Sequence, residues 1–266
     1  MKTKFWQFRA AANNSKIGEL MLYGIISSES WWGDEVTPKT FKADLDALGE
    51  IDQLHVYINS DGGDVFAGQA IHSMLKRHKA QVIVYVDGLA ASIASVIAMA
   101  GDVVRMPRNA MLMIHNPSTI AWGNAEDLRQ LADALDKIRD AILTTYQDKT
   151  GLGTEELVAM LDAETWMTAE EAIAQGFADE IEETKQVSAS LDAGRLVVNG
   201  QIFNLDRFRH PPKLAFIPRA APPATPSPLP APRDAPTPST PTNGERLRPL
   251  SLRERELHIL ERGDRR

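Results

Sequence analysis

The stretch Val84-Tyr85-Val86-Asp87-Gly88-Leu89-Ala90-Ala91-Ser92-Ile93-Ala94-Ser95-Val96-Ile97-Ala98-Met99-Ala100-Gly101 changes character at its middle. Its β-branched and aromatic opening reads as a buried strand, Asp87-Gly88 interrupts it, and the run of Ala, Ser, Ile, Val and Met that follows reads as a buried helix. A strand that feeds directly into a helix puts Ser92 in the first helical turn. Unpaired backbone N–H groups and the positive end of the helix dipole face a hydroxyl there, which suits a nucleophile. Small residues also serve close helix packing, so Ser92 and Ser95 decide nothing by themselves.

Working outward, strands and helices alternate on both sides. Gly18 to Ile26 reads as a strand, and Thr37-Pro38 opens a helix with an N-cap and a proline at the first helical position. Gln53 to Asn59 is a second strand, followed by Ser60-Asp61-Gly62-Gly63 and a helix from about Asp64 to His78. Beyond the central stretch, Val103 to Met106 and Ala110 to His115 are two further strands, and Asn116-Pro117 breaks the second. Asn124 caps a long helix in which Leu128, Leu131, Leu135, Ile138, Ile142 and Tyr146 recur at helical spacing up to Gly151. A shorter helix starts at Thr154, a capping box runs from Thr168 to Glu171, and Phe177 to Ile181 closes the sheet. This alternation implies βαβ crossovers and a mainly parallel sheet.

The composition bounds what can be proposed. With 266 residues and 43% hydrophobic content, the chain can bury one substantial core. The absence of cysteine removes disulfides, thiolate catalysis and cysteine-ligated zinc. A net charge of −7 gives no general attraction to nucleic acid or to an anionic membrane. Met1 to Asn14 lacks the apolar core of a signal peptide, and no stretch approaches the roughly 18 apolar residues of a membrane span. A cytoplasmic protein is the expectation. The domain is expected over residues 15–183, with an appended segment at 184–210. In that segment Leu196 to Phe203 carries a hairpin signal at Asn199-Gly200. Residues 211–245 read as a Pro-rich linker without a core, and residues 246–266 as either a short partner-docking helix or a solvated tail.

Serine is a weak nucleophile at neutral pH, so Ser92 needs a general base within hydrogen-bond reach and donors aimed at a developing oxyanion. Of the six histidines, His115 stands apart. It ends a strand, at the edge of a parallel sheet where catalytic groups gather, and the proline two residues on fixes the turn. Gly62-Gly63 supplies a turn whose bare backbone lets N–H groups approach a substrate.

Four blocks taken together resemble the Clp protease proteolytic subunit family. They are Asn59-Ser60-Asp61-Gly62-Gly63, Gly88-Leu89-Ala90-Ala91-Ser92, Met113-Ile114-His115-Asn116-Pro117, and Trp166-Met167-Thr168-Ala169-Glu170-Glu171-Ala172 with Gly176-Phe177-Ala178-Asp179. Their order and spacing match over roughly residues 15 to 183. The resemblance implies an α/β fold of the ClpP/crotonase-like type, built of repeated βαβ units. It implies Ser92 as nucleophile, His115 as general base, and the backbone N–H groups of Gly63 and Ile93 as the oxyanion hole. It further implies polypeptide substrates bound as an added strand, and a homo-oligomeric ring assembled through the long helix and a handle strand, about Asn116 to Gly151.

The family's third triad member is an aspartate, and the matching position here is Glu164, with Asp162 two residues earlier. Either carboxylate could orient the imidazole, and a Ser-His dyad is the remaining alternative. The Gly-x-Ser-x-Gly elbow of α/β-hydrolases is absent. The long tail and the Glu164-to-Ala169 wording look more like the phage and prophage relatives that act as head maturation proteases on scaffold and capsid proteins. No cofactor or metal is expected. The chain lacks a Gly-x-x-x-x-Gly-Lys run, so any ATP dependence must come from a partner AAA+ unfoldase. A crotonase-type acyl-CoA enzyme and an inactive ring scaffold are the rival classes.

Overall fold

Alternating β-branched runs become the strands of one mixed sheet. The computed structural model describes residues 4–12, 14–28, 38–183, 189–192, 195–198, 201–205 and 208–211, all within the first of the chain's two units, residues 1–219. Its first half runs β1 (Trp6–Ala11), β2 (Asn14–Tyr23), α1 (Pro38–Asp46), β3 (Gln53–Ser60), α2 (Val65–Lys76), β4 (Gln81–Ala91) and α3 (Ile93–Ala98). The second half adds β5 (Val103–Met106), β6 (Met111–Ile114), α4 (Ala125–Thr150), α5 (Thr154–Asp162), β7 (Thr165–Thr168), α6 (Ala169–Ala174) and β8 (Glu180–Ile181). The main path is β1-β2-β3-β4-β5-β8, parallel throughout except where β1 meets β2. Crossover helices explain the parallel pairs, as the alternation implies.

The strand β4 does two jobs in sequence. Its first half pairs with β5, Ile83 opposite Val103, and its second half pairs with β6, Leu89 opposite Met111. Between them the register with β3 slips. Val86 sits opposite Ile58 and Ala90 opposite Ser60, so β4 carries extra residues around Asp87-Gly88. This corrects the expectation that the strand ends near Val86 and the helix has begun by Ser92. Helix-favouring alanines at 90 and 91 remain extended because β6 offers them a hydrogen-bonding partner, and tertiary pairing overrides propensity. Helix α3 is then only one and a half turns long, and Ser92 is its N-cap.

Leu54, Val56 and Ile58 of β3 and Val82, Val84 and Val86 of β4 form the buried sheet face, covered by Phe41, Leu45, Ile71, Leu75 and Ile97 from the helices. A Cβ at Gly68 would run into the Ile93 side chain, so α2 and α3 touch where no larger residue fits. Helix α4 begins and ends where its signals place it. Asn124 and Asp127 close a capping box, and Gly151 adopts the left-handed conformation at φ 73°. Its apolar face is buried only at the C-terminal half, through Ile142, Leu143 and Tyr146. Leu128 in the N-terminal half is 45% exposed, and Ile120 and Trp122 in the unpaired segment before the helix are 91% and 90% exposed. The expected handle strand is thus not paired among the described residues of this single chain.

Past residue 183 a second sheet forms. β9 (Ala189–Asp192), β10 (Arg195–Val198) and β11 (Gln201–Asn204) are antiparallel neighbours. Val198 lies opposite Gln201, the register of a two-residue hairpin, although Asn199 and Gly200 themselves lie outside the described residues. Thr37 and everything beyond Pro211, including the Pro-rich and charged tail segments, also lie outside them.

Candidate active site

Ser92 stands at the strand-to-helix corner with φ 56° and ψ −130°. A positive φ is unusual for a residue with a side chain and marks a backbone held by its surroundings. Its own N–H donates to the Met113 carbonyl at 2.9 Å, which ties the corner to β6. Its carbonyl accepts from the Ser95 N–H at 2.9 Å and from Ser95 Oγ at 2.6 Å. Ser95 is fully buried, and its Oγ lies 2.8 Å from the Tyr146 hydroxyl of α4. Since the Ser95 proton goes to the Ser92 carbonyl, Tyr146 is the donor in that pair. Burial pushes the Tyr146 phenol far above its ordinary range and keeps it protonated. Ser95 therefore fixes the nucleophile's backbone, which corrects its reading as mere packing.

Held this way, the Ser92 hydroxyl makes no cap bond to α3 and lies 2.8 Å from His115 Nε2. His115 directly follows β6, and Glu164 directly precedes β7. The antiparallel register pairs Met113 with Trp166 and Ile114 with Thr165, so one further step sets His115 opposite Glu164. Glu164 leaves the ladder there at φ 52° and is 7% exposed. Its carboxylate accepts from the Arg209 N–H at 2.9 Å and the His210 N–H at 2.8 Å, with Trp166 Nε1 more distant at 3.4 Å. Asp162 lies on the surface and accepts from Asn116 Nδ2 at 2.7 Å. The buried acid at the end of the β6–β7 ladder is Glu164.

The glycine turn closes the other side. Gly62 adopts φ 96° and Gly63 φ 148°, conformations that side chains rarely take. A Cβ on Gly62 would come 2.7 Å from Ser92 Cβ and 3.2 Å from its Oγ, so the bare backbone of this turn lies directly against the nucleophile. Ser60 holds the turn, donating to the Gly24 carbonyl at 2.6 Å and accepting from the Gly62 N–H at 3.1 Å. A serine–imidazole pair against an open glycine backbone is equipped for acyl transfer.

The family profile described as Clp protease matches residues 19–185, which hold all of these groups except the two N–H donors at 209 and 210. The chain belongs to the Clp protease family. It is 34% identical over 155 residues to the ATP-dependent Clp protease proteolytic subunit of Bacteroides fragilis, covering 56% of this chain and 74% of that protein. It is 35% identical over 140 residues to the protein of the same name from Deinococcus radiodurans, covering 52% and 68%. The corresponding protein of Streptococcus gordonii is 36% identical over 141 residues, covering 52% and 72%. This Clp protease family member is a hydrolase of the serine peptidase class, and the acyl-CoA alternative is set aside. No helix among its described residues is long and apolar enough to cross a membrane.

Three groups at the Clp protease site escape sequence reasoning. The Ser95–Tyr146 bond joins residues 51 apart, and only a buried hydroxyl at an apolar helical position hints at it. The Glu164 contacts to residues 209 and 210 use backbone N–H groups, which leave no side-chain signature. Phe208 packs edge-on against both His115, at a ring-centroid distance of 5.9 Å, and Trp166, at 5.2 Å. In sequence it is one aromatic in a stretch with no periodicity.

Proposed function

We propose that this chain is an endopeptidase in which Ser92 attacks the peptide carbonyl, His115 takes its proton and returns it to the leaving amine, and Glu164 orients the imidazole and stabilises its charged form. The backbone N–H groups of Gly63 and Ile93 serve the oxyanion. Water then releases the acyl group by the same proton route. The observation that carries this reading is the 2.8 Å contact between Ser92 Oγ and His115 Nε2, made by a serine whose backbone is held at positive φ. Treatment with diisopropyl fluorophosphonate is expected to add one phosphonyl group, located at Ser92 by peptide mass analysis. A fully assembled chain that stays unlabelled, or a label on another serine, would remove Ser92 from the role.

The substrates in this proposal are extended polypeptides, and the working unit is a homo-oligomeric ring that encloses the sites. Exposed Ile120 and Trp122 in the segment before α4, with Leu128 in its N-terminal half, supply the apolar surface for a second copy to bury. Trp122→Ser combined with Leu128→Ser is expected to lower the assembled mass measured by light scattering. An unchanged mass would exclude that surface from assembly.

Phage scaffold and capsid proteins are the proposed targets, on the strength of the long Pro-rich extension and the Glu164–Ala169 block. The names of the relatives favour a second reading, a general Clp proteolytic subunit served by an ATP-dependent unfoldase. Co-expression with capsid protein separates the two. Processing by the wild-type chain alone supports the first, and processing only when an unfoldase is added supports the second.

A further inference from the structure

The residues that hold Glu164 lie outside the region matched by the Clp protease profile, which ends at residue 185. Phe203, Leu205 and Phe208 are 3%, 4% and 6% exposed and form an apolar cluster of their own, separate from the main core. They cover Leu89 and Ala91 of β4 and Met111 and Met113 of β6, with Trp166 of β7 at the margin. Alternation along a strand puts His115 on the same face of β6 as Met111 and Met113. The segment therefore lies over the face from which the site's base projects. Immediately after Phe208, the Arg209 and His210 N–H groups close on the two oxygens of Glu164.

We propose that Phe203, Leu205 and Phe208–His210 act as a positioning strap, which fixes the orientation of the Glu164 carboxylate and makes hydrolysis depend on chain outside the family domain. The proposal rests on the reading of Ser92, His115 and Glu164 as the catalytic group. The Phe208 ring seats the strap by packing between His115 and Trp166, and two backbone donors then fix both carboxylate oxygens in one orientation. A glutamate has one more rotatable bond than an aspartate, so its carboxylate gains more from being fixed from outside. The strap needs no particular side chain at 209 or 210, and both of those side chains are exposed.

Arg209→Pro and His210→Pro each delete one N–H donor without removing a core contact. Phe208→Ala keeps both donors and removes the ring that seats them. Peptide hydrolysis by the full chain is measured for each variant, in the wild-type and in the Glu164→Gln background. Each is expected to lower kcat about 10- to 100-fold in the wild-type background, short of the roughly 10⁴-fold that a mis-set triad carboxylate carries. In the Glu164→Gln background the same changes should alter kcat less than about twofold, because a residue acting through Glu164 has nothing left to act on. Equal losses in both backgrounds would reduce the strap to a structural element, and a gain in rate would make it an occluding segment. Either result overturns the proposal, as does an unchanged rate. The three variants perturb the strap differently, so one that fails to fold leaves the other two to decide. A wild-type chain that neither hydrolyses peptide nor reacts with the fluorophosphonate overturns the endopeptidase reading itself.

Discussion

Ser92→Ala is expected to lower kcat/KM for an unstructured polypeptide by about 10⁵- to 10⁶-fold, the range seen when the nucleophile of a serine–histidine pair is removed. His115→Gln should cost about as much, and the double variant no more than either alone, because the two groups act as one unit. Stability should hardly move. The alanine loses one hydroxyl contact, to His115, worth about 1 kcal/mol, and a chain of this size then melts about 2–4 °C lower. Thermal melts followed by circular dichroism separate lost chemistry from lost fold. Hydrolysis by the alanine variant within tenfold of wild type would sink the assignment.

Gly63→Ala should damage both fold and chemistry. The added Cβ would land on the Ile26 carbonyl oxygen, the bridge partner of this turn, and the residue would be held at φ 148° where only glycine is at ease. Relief requires the Ile26 segment and the turn to part, which costs on the order of 3 kcal/mol and moves the Gly63 N–H from its post. Losing one oxyanion donor lowers kcat by about 10²- to 10³-fold. Gly151→Ala is the matched control. That glycine also has positive φ, at 73°, but a Cβ there meets nothing within 4 Å. It should cost about 1–2 kcal/mol and leave kcat unchanged. Wild-type kcat in Gly63→Ala would exclude the glycine turn from the reaction.

Much of the architecture is legible because it is written locally. The caps at Asn124 and Gly151 and the break at Asn116-Pro117 are short-range signals, and each element boundary falls beside them. Ser92 and His115 are legible because both sit at the end of an element whose pattern is clear. What fails is what depends on distant partners. The alanines before Ser92 look helical until β6 pairs with them, and Ser95 looks like a spacer until Tyr146 arrives from 51 residues away. In sequence Glu164 has the better register, with Asp162 two residues earlier. What no local signal shows is their surroundings: Asp162 lies on the surface, whereas Glu164 is buried on two main-chain donors contributed 45 and 46 residues downstream.

The ladder between Met111–Ile114 and Thr165–Thr168 works as a ruler. Side chains alternate faces along each strand, so dropping or adding one residue on either side would turn His115 or Glu164 to the opposite face of the sheet while leaving every hydrophobic residue in the segment. Conservative changes of side chain at Met111 or Met167 alter only packing, whereas a change of length moves the chemistry. A change of length that leaves this register intact must therefore fall outside the ladder, as in the long helix or the extension.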